Sequence, residues 1–285
     1  MNAVYFNGKI IPPDEVIITS SNRSFKYGDG LFETINVINQ QPLFIDLHVN
    51  RLLAGLLVLG INIPDNWSEI FFKETITGLC KINKIQNARC RITVWREGEG
   101  FYLPQQNDAA ILIELSPHDS EFYSLNETGL RLGVFTELTK TANILSPYKT
   151  ANSLIYVLAA KYAFEQKFDD VVVLNDRGRT ADSIKSNIFI WKQSVLFTPA
   201  LNEGGVDGVM KQVIFDLCRK EGITVNEIEM PLEMLLEADE IFLSNVMHGI
   251  KWVGEYTQKK YVNKFSKDLL YIINETNSNN SLVSP

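Results

Sequence analysis

The order of predicted strands and helices places the tightest limit on how this chain can fold. Both kinds of element occur in each half of the 285 residues, without the regular strand–helix–strand alternation of a doubly wound sheet. Near the start, Asn7-Gly8 between two apolar runs predicts a hairpin, and residues 31–37 alternate as a strand does. A chain of this length commonly forms more than one domain. The pattern therefore predicts two α+β domains.

A polar stretch without clear periodicity marks the predicted boundary between the domains. Residues 118–128 are expected to form the linker, with an N-terminal domain over 1–117 and a C-terminal domain over 129–285. Apolar residues at helical spacing predict helices on both sides of this linker. The predicted helices cover residues 46–59, 67–82, 153–164, 209–219 and 264–274.

Composition excludes several classes of protein. A formal charge of −7 and the lack of a basic, aromatic-rich run argue against nucleic-acid binding. Cys80, Cys90 and Cys218 are isolated, so they predict neither a disulfide framework nor a metal site, and are typical of reduced cytoplasmic thiols. The sequence contains no apolar run of about 18 residues and no leader-like start. We expect a soluble cytoplasmic protein that spans no membrane.

One lysine occupies a position suited to covalent chemistry. Pro147 prevents a helix from continuing through the preceding residue, and after Asn152 the apolar residues follow helical spacing. Lys149 therefore lies on a loop or strand end that leads into a helix. From there a long amine can reach into a cleft. The position alone does not separate a nucleophile from an ordinary surface lysine.

Three further features favour a functional role for Lys149. Arg51 offers a planar group suited to phosphate, and Asp182 is an acid in a polar loop just before an apolar strand. A helix starts after Gly208, where the amides of Val209 and Met210 are free to bind an anion. An amine, a carboxylate and a two-part phosphate site are what an enzyme that uses pyridoxal 5'-phosphate needs.

Five short sequence motifs, in their residues and their order, resemble those of the class IV pyridoxal phosphate aminotransferases. This family includes branched-chain and D-amino acid aminotransferases and aminodeoxychorismate lyase. The resemblance extends from Tyr5 to about Val253. The similar blocks are Tyr27-Gly28-Asp29-Gly30-Leu31-Phe32-Glu33-Thr34, His48-Val49-Asn50-Arg51-Leu52, Lys149-Thr150-Ala151-Asn152, residues 182–189, and residues 198–211.

The resemblance implies a fold, an assembly and a class of substrate. The fold would be the two-domain α+β fold type IV, similar to D-amino acid aminotransferase, with the active site between the domains. The protein would be a homodimer that acts on a small amino acid and a 2-oxo acid.

The resemblance also implies roles for individual residues. Lys149 would form the Schiff base with pyridoxal 5'-phosphate and shuttle the proton between the substrate Cα and the cofactor. Arg51 and the amides of Val209 and Met210 would hold the phosphate. Val206 stands where an apolar residue packs against the ring, and Asp182 where the family uses glutamate against the pyridine nitrogen.

Some positions depart from the family pattern. Asp182 is one methylene shorter than the usual glutamate, so we expect its loop to move slightly inward. Met210 replaces a threonine, which removes a hydroxyl from the phosphate site. The residue that meets the substrate carboxylate is not defined by any block. The candidates are Arg91 or Arg96 from one predicted strand, with Tyr102 nearby.

Three reactions or roles remain open at this stage. An aminotransferase is favoured, and a lyase that releases pyruvate and 4-aminobenzoate from aminodeoxychorismate is the alternative. Phe32 stands where D-amino acid aminotransferases tend to have a carboxylate-binding tyrosine, which argues against that branch. A non-catalytic relative is the third possibility, but it has no physical need to keep Lys149, Arg51 and an acid at position 182.

Overall fold

The chain forms two compact units in the computed structural model, which describes residues 2–15 and 18–282, with the backbone alone over 277–282. The first unit runs to Phe122 and also takes up Tyr148–Asn152. The second unit consists of Tyr123–Pro147 and the chain from Ser153 onward. The two-domain prediction placed the lysine segment in the C-terminal domain. The structure instead assigns this segment to the first unit, because it pairs with a strand there.

The described part of the first unit contains six strands and three helices. The strands are β1 (Val4–Phe6), β2 (Lys9–Ile11), β3 (Gly30–Ile38), β4 (Gln41–Pro42), β5 (Ala88–Arg96) and β6 (Ala109–Pro117). The helices are α1 (Arg23–Tyr27), α2 (Ile45–Leu59) and α3 (Glu69–Asn83). These strands form one antiparallel sheet in the order β2-β1-β6-β5-β3-β4.

Alternation along the strands divides this sheet into two faces. Residues such as Leu31, Ile35 and Ile92 point to one side and join a core with the apolar faces of α2 and α3. The opposite face carries Phe32 and Arg91, which are only partly buried. The first face is therefore the core, and the second is open to a ligand.

The described part of the second unit is built on a larger sheet. Its strands are β7 (Leu130–Lys140), β8 (Asp170–Asn175), β9 (Thr180–Ser183), β10 (Asn187–Lys192), β11 (Val195–Pro199), β12 (Val225–Ile228), β13 (Glu240–Asn245), β14 (Gly249–Tyr256) and β15 (Lys259–Lys260). Its helices are α4 (Leu154–Gln166), α5 (Val209–Lys220), α6 (Glu233–Glu237) and α7 (Lys264–Leu282).

This second sheet is mixed, with both parallel and antiparallel pairs. Its order is β12-β11-β10-β13-β14-β7-β8-β9, and β15 pairs with β14. Strand β7 runs parallel to both of its neighbours, whereas β8 and β9 are antiparallel. A buried cluster that includes Ile188, Ile241 and Leu243 forms the centre of this unit.

Most predicted elements are present, with local differences at their ends. Helix α2 begins after Phe44, which has a left-handed backbone, so it starts one residue before the predicted start at residue 46. The first part of the predicted linker belongs to the first unit, and Tyr123 packs in the second. Asp182 lies on a strand, β9, where the sequence predicted a loop.

Across residues 2–15 and 18–282, none of the helices combines the length and apolar character needed to cross a membrane.

Candidate active site

The segment around Lys149 is held by the edge of strand β3. The carbonyl oxygen of Lys149 accepts a hydrogen bond from the Phe32 amide at 2.8 Å. The amide of Ala151 donates to the carbonyl of Gly30 at 2.9 Å, and Thr150 forms an isolated antiparallel bridge with Leu31. These bonds continue the sheet by one short strand. The lysine backbone is therefore fixed even though the segment is not part of a regular element.

Two cations lie over the ring of Phe32 on the open side of the first sheet. The Nζ atom of Lys149 is 4.5 Å from the ring centroid, and the Cζ atom of Arg91 is 4.0 Å from it. Burial and the neighbouring Arg89 lower the pKa of Arg91, while Glu114 raises it. An anion bound at Arg91 would offset the repulsion between the Arg91 and Arg89 side chains.

Arg51 is buried against a carboxylate from strand β3. Its Nε donates to Glu33 Oε1 at 2.7 Å and its Nη2 to Glu33 Oε2 at 2.6 Å, which is a two-point ion pair. His48 Nδ1 lies 2.7 Å from Glu33 Oε2. Helix α2 positions both partners, since residues three apart face the same side of a helix.

Burial and the neighbouring charges determine whether Glu33 and His48 carry a proton. Burial raises the pKa of Glu33, but Arg51 and His48 lower it more, to about 2. Burial lowers the pKa of His48 against the opposing effect of Glu33, so the imidazole is neutral near pH 7. A neutral imidazole beside a carboxylate must donate through Nδ1. Its Nε2 is then an acceptor, and this buried atom has no partner among the described residues.

Asp182 presents one bonded and one open oxygen in the second unit. Its Oδ2 accepts from the Val206 amide at 3.0 Å and from the Tyr156 hydroxyl at 3.1 Å, and Lys140 Nζ lies 3.3 Å away. Its Oδ1 is buried and has no hydrogen-bond partner within the described part of the chain. The register of β9 against β8 shifts next to Asp182.

The turn before helix α5 is tied to the neighbouring strands. The carbonyl of Val206 accepts from Asn187 Nδ2 at 2.8 Å, while its amide binds Asp182. A Cβ atom on Gly208 would lie 1.8 Å from Asn187 Oδ1, so a larger residue here would force the Asn187 side chain to move. No side chain caps the helix, and its first amides, on Val209 and Met210, have no partner within it. N–H groups at the start of a helix are chemically suited to bind an anion.

Two of the three predicted carboxylate-binding residues have other roles. Arg96 is buried, where it binds Asp29, the carbonyls of Leu59 and Gly60, and Asn107. These bonds make Arg96 a structural residue, and we no longer assign it to the substrate. The Tyr102 side chain is 89% exposed and packs against Tyr27, so nothing in its own unit encloses it. Of the three candidates, Arg91 alone contacts the Phe32 ring that Lys149 also contacts.

Comparison with known proteins identifies the family. The amino-transferase class IV family model matches residues 30–256. The chain belongs to the class IV aminotransferase family. Its members depend on pyridoxal phosphate, so the predicted family and cofactor are confirmed.

The relatives of this class IV aminotransferase include both reaction types. The aminodeoxychorismate lyase of Vibrio harveyi is 29% identical over 80% of this chain and 83% of its own length. A putative branched-chain-amino-acid aminotransferase of Methanocaldococcus jannaschii is 27% identical over 90% of this chain and 93% of its own.

Solved structures share the fold. The branched-chain aminotransferase of the thermophilic archaeon Thermoproteus uzoniensis, solved with norvaline, has a TM-score of 0.85 at 20% identity. The match covers 95% of this chain and 93% of that one. The predicted fold is therefore confirmed.

Several residues that contact the predicted site residues were not assigned from the sequence. Glu33 was noted only as part of a block, and Lys140 and Tyr156 carried no signal. Lys140 ends strand β7, Tyr156 lies in the first turn of helix α4, and neither belongs to any of the five blocks. Their role depends on contacts between three elements, which spacing along the chain does not reveal.

Replacing Glu33 with glutamine tests the buried ion pair. We expect Glu33→Gln to lower the free energy of unfolding by about 3 kcal/mol, because it removes one partner of a buried pair. The ordinary pKa of 4.5 is lowered to about 2 in the fold, so this stabilisation is present above pH 4.5 and is lost as pH falls toward 2. Urea unfolding of the cofactor-free protein across this pH range measures both effects.

Glu74→Gln is the matched control, since Glu74 is exposed on helix α3. It should change the unfolding free energy by less than about 0.5 kcal/mol. An unaltered stability and acid profile in Glu33→Gln would contradict the interpretation of the buried pair.

Proposed function

We propose that Lys149 and Arg91 carry out the amino transfer of this enzyme, which exchanges nitrogen between an amino acid and a 2-oxo acid. The observation that supports this is the position of both cations over the Phe32 ring. An amino acid that reacts at its nitrogen keeps its carboxylate within a few ångströms of the reacting atom. A guanidinium beside the lysine amine therefore suits the carboxylate of such a substrate.

Four groups of this chain fit pyridoxal 5'-phosphate. Arg51 and the amides of Val209 and Met210 would hold the phosphate, and Val206 would pack against the ring. The open Oδ1 of Asp182 is a buried acceptor that suits the protonated pyridine nitrogen. When bound, the cofactor supplies an electron sink for negative charge at the substrate Cα.

The chain's own residues then handle protons and orientation. Lys149 Nζ would take the proton from the substrate Cα and return it later in the reaction. Arg91 would fix the substrate carboxylate, which orients the Cα–H bond toward the lysine. Phe32 would form an apolar wall next to both cations and limit their contact with water.

The same groups could serve an aminodeoxychorismate lyase, and the 29% identity to such an enzyme supports keeping this alternative. A single experiment separates the two reactions. The cofactor-loaded enzyme is mixed separately with L-glutamate, branched-chain amino acids, D-alanine and aminodeoxychorismate. Conversion of the cofactor to its pyridoxamine form by an amino acid alone indicates transamination. An unchanged cofactor spectrum with every amino acid, together with pyruvate release from aminodeoxychorismate, indicates the lyase.

Replacing Lys149 tests the covalent attachment. We expect Lys149→Ala to lose the adduct that borohydride reduces in the wild-type enzyme, because no other amine takes its place. Mass spectrometry of the reduced, digested protein measures this loss. Lys161→Ala, at an exposed position of helix α4, is the control and should keep the adduct. A reduced adduct on another residue of Lys149→Ala would refute the assignment.

Replacing Arg91 tests carboxylate binding. We expect Arg91→Gln to raise the KM for the amino acid about 30-fold, since a charge-assisted hydrogen bond contributes about 2 kcal/mol. Arg89→Gln is the matched control, because Arg89 lies on the same face two residues along β5. It should change KM less than about threefold. Equal effects of the two variants would refute a specific role for Arg91.

We also infer a cytoplasmic homodimer. The three cysteines are free and buried, which suits a reducing compartment. Arg23 donates hydrogen bonds to the carbonyls of Gly100, Phe101 and Tyr102, which form the tip of the loop between β5 and β6. This tip is therefore fixed, although its side chains are exposed. A fixed, exposed apolar tip suits an interface with a second copy.

Charge at this tip tests the assembly. We expect Leu103→Glu to shift the protein from dimer to monomer in sedimentation equilibrium, because the substitution places a carboxylate in an apolar interface. Phe164→Glu, at an exposed apolar position on helix α4, should remain dimeric. A wild-type monomer, or a dimer that tolerates Leu103→Glu, would contradict this interface.

A further inference from the structure

Lys140, Tyr156 and Asp182 form a buried cluster in the second unit. Lys140 ends strand β7, Tyr156 lies in the first turn of helix α4, and Asp182 lies on strand β9. Lys140 Nζ donates to the Tyr156 hydroxyl oxygen at 2.6 Å and lies 3.3 Å from Asp182 Oδ2. The side chains of Lys140 and Asp182 are 14% and 4% exposed. Three elements thus converge on one carboxylate oxygen.

The direction of these hydrogen bonds can be assigned. Burial, together with the charge of Asp182, holds the pKa of Tyr156 well above its usual value, so the hydroxyl keeps its proton. This hydroxyl donates to Asp182 Oδ2 at 3.1 Å and accepts from Lys140. The Val206 amide also donates to Oδ2. Every described contact of the carboxylate therefore falls on Oδ2.

The uneven distribution of donors has two consequences. It fixes the plane of the carboxylate, and it leaves Oδ1 as a buried acceptor without a partner among the described residues. Burying a carboxylate is costly unless its charge is paired. Lys140 supplies that pairing charge from the side of Oδ2. Oδ1 therefore remains available to accept a hydrogen bond from a cationic donor.

We propose that Lys140 and Tyr156 are positioning residues that hold Asp182 so that Oδ1 receives the N–H of the cofactor's pyridine ring and keeps the proton on that nitrogen. This inference rests on the proposed use of Asp182 toward pyridoxal 5'-phosphate. It adds Lys140 and Tyr156 as residues that would keep the ring nitrogen protonated without contacting the ring.

The test compares two cofactors that differ at one ring atom. The dissociation constants of pyridoxal 5'-phosphate and of its 1-deaza analogue, in which CH replaces the ring nitrogen, are measured with the cofactor-free full-length protein. We expect Lys140→Met to weaken binding of the natural cofactor about tenfold, the loss typical of one charge-assisted hydrogen bond, and that of the analogue less than about twofold. Equal weakening with both cofactors, or none with either, would overturn the proposal.

A spectroscopic readout and conservative variants separate positioning from general stability. With ¹⁵N in the ring, the nitrogen resonance should move toward the unprotonated position in Lys140→Met and remain near the wild-type position in Lys140→Arg. Tyr156→Phe should move it in the same direction by a smaller amount. Tyr162→Phe, on the same helix, is the control for loss of a hydroxyl. A resonance unchanged in both Lys140→Met and Tyr156→Phe would overturn the proposal.

Combining substitutions places the effect at Asp182. In an Asp182→Asn background, Lys140→Met should no longer distinguish the two cofactors, since the charged acceptor is gone. A discrimination that persists in this background would overturn the proposal. Absence of cofactor binding by the wild-type protein would instead overturn the proposed function, so the two failures are distinguishable.

Discussion

Strand β3 is the element on which the lysine side of the site depends. Its alternating side chains send Glu33 into the core, toward helix α2, and Phe32 to the open face. Its backbone edge binds the segment of Lys149 through the amide of Phe32 and the carbonyl of Gly30. One strand therefore sets the position of Lys149, of the Phe32 ring beside it and of Glu33, the partner of Arg51. A register slip by one residue would exchange the two faces and dismantle all three.

The buried pair of Glu33 and Arg51 shows how the fold keeps a buried cation in place. A guanidinium removed from water is unfavourable unless a charge of opposite sign and good geometry compensate for it. Glu33 provides two hydrogen bonds in one plane, and His48 holds the same carboxylate from helix α2. The low pKa of Glu33, about 2, means that the pair stays charged throughout the neutral range.

The second unit uses a related arrangement with a different result. Its carboxylate, Asp182, also lies next to a cation, but the donors gather on one oxygen and leave the other open. Glu33 is engaged at both of its oxygens, whereas Asp182 keeps an acceptor for a ligand. The same chemical group thus has a structural role in one unit and a binding role, as we propose, in the other. The difference comes from the placement of donors.

The sequence by itself determined the elements, the family and most of the candidate residues. Periodicity and turn residues depend on neighbours along the chain, so the Asn7-Gly8 hairpin, strand β3 and helices α3 and α5 followed from local patterns. The block that contains Lys149 needed only the order of a few residues.

Only the tertiary structure decided which long side chains lie close to the predicted site residues. Arg91 and Arg96 were both candidates from the sequence, but the structure puts Arg91 over the Phe32 ring that Lys149 also contacts and buries Arg96 against Asp29. Lys140 became part of the Asp182 cluster because β7 and β8 are parallel neighbours and β9 pairs with β8. Such contacts join residues far apart in the chain, and no local pattern encodes them.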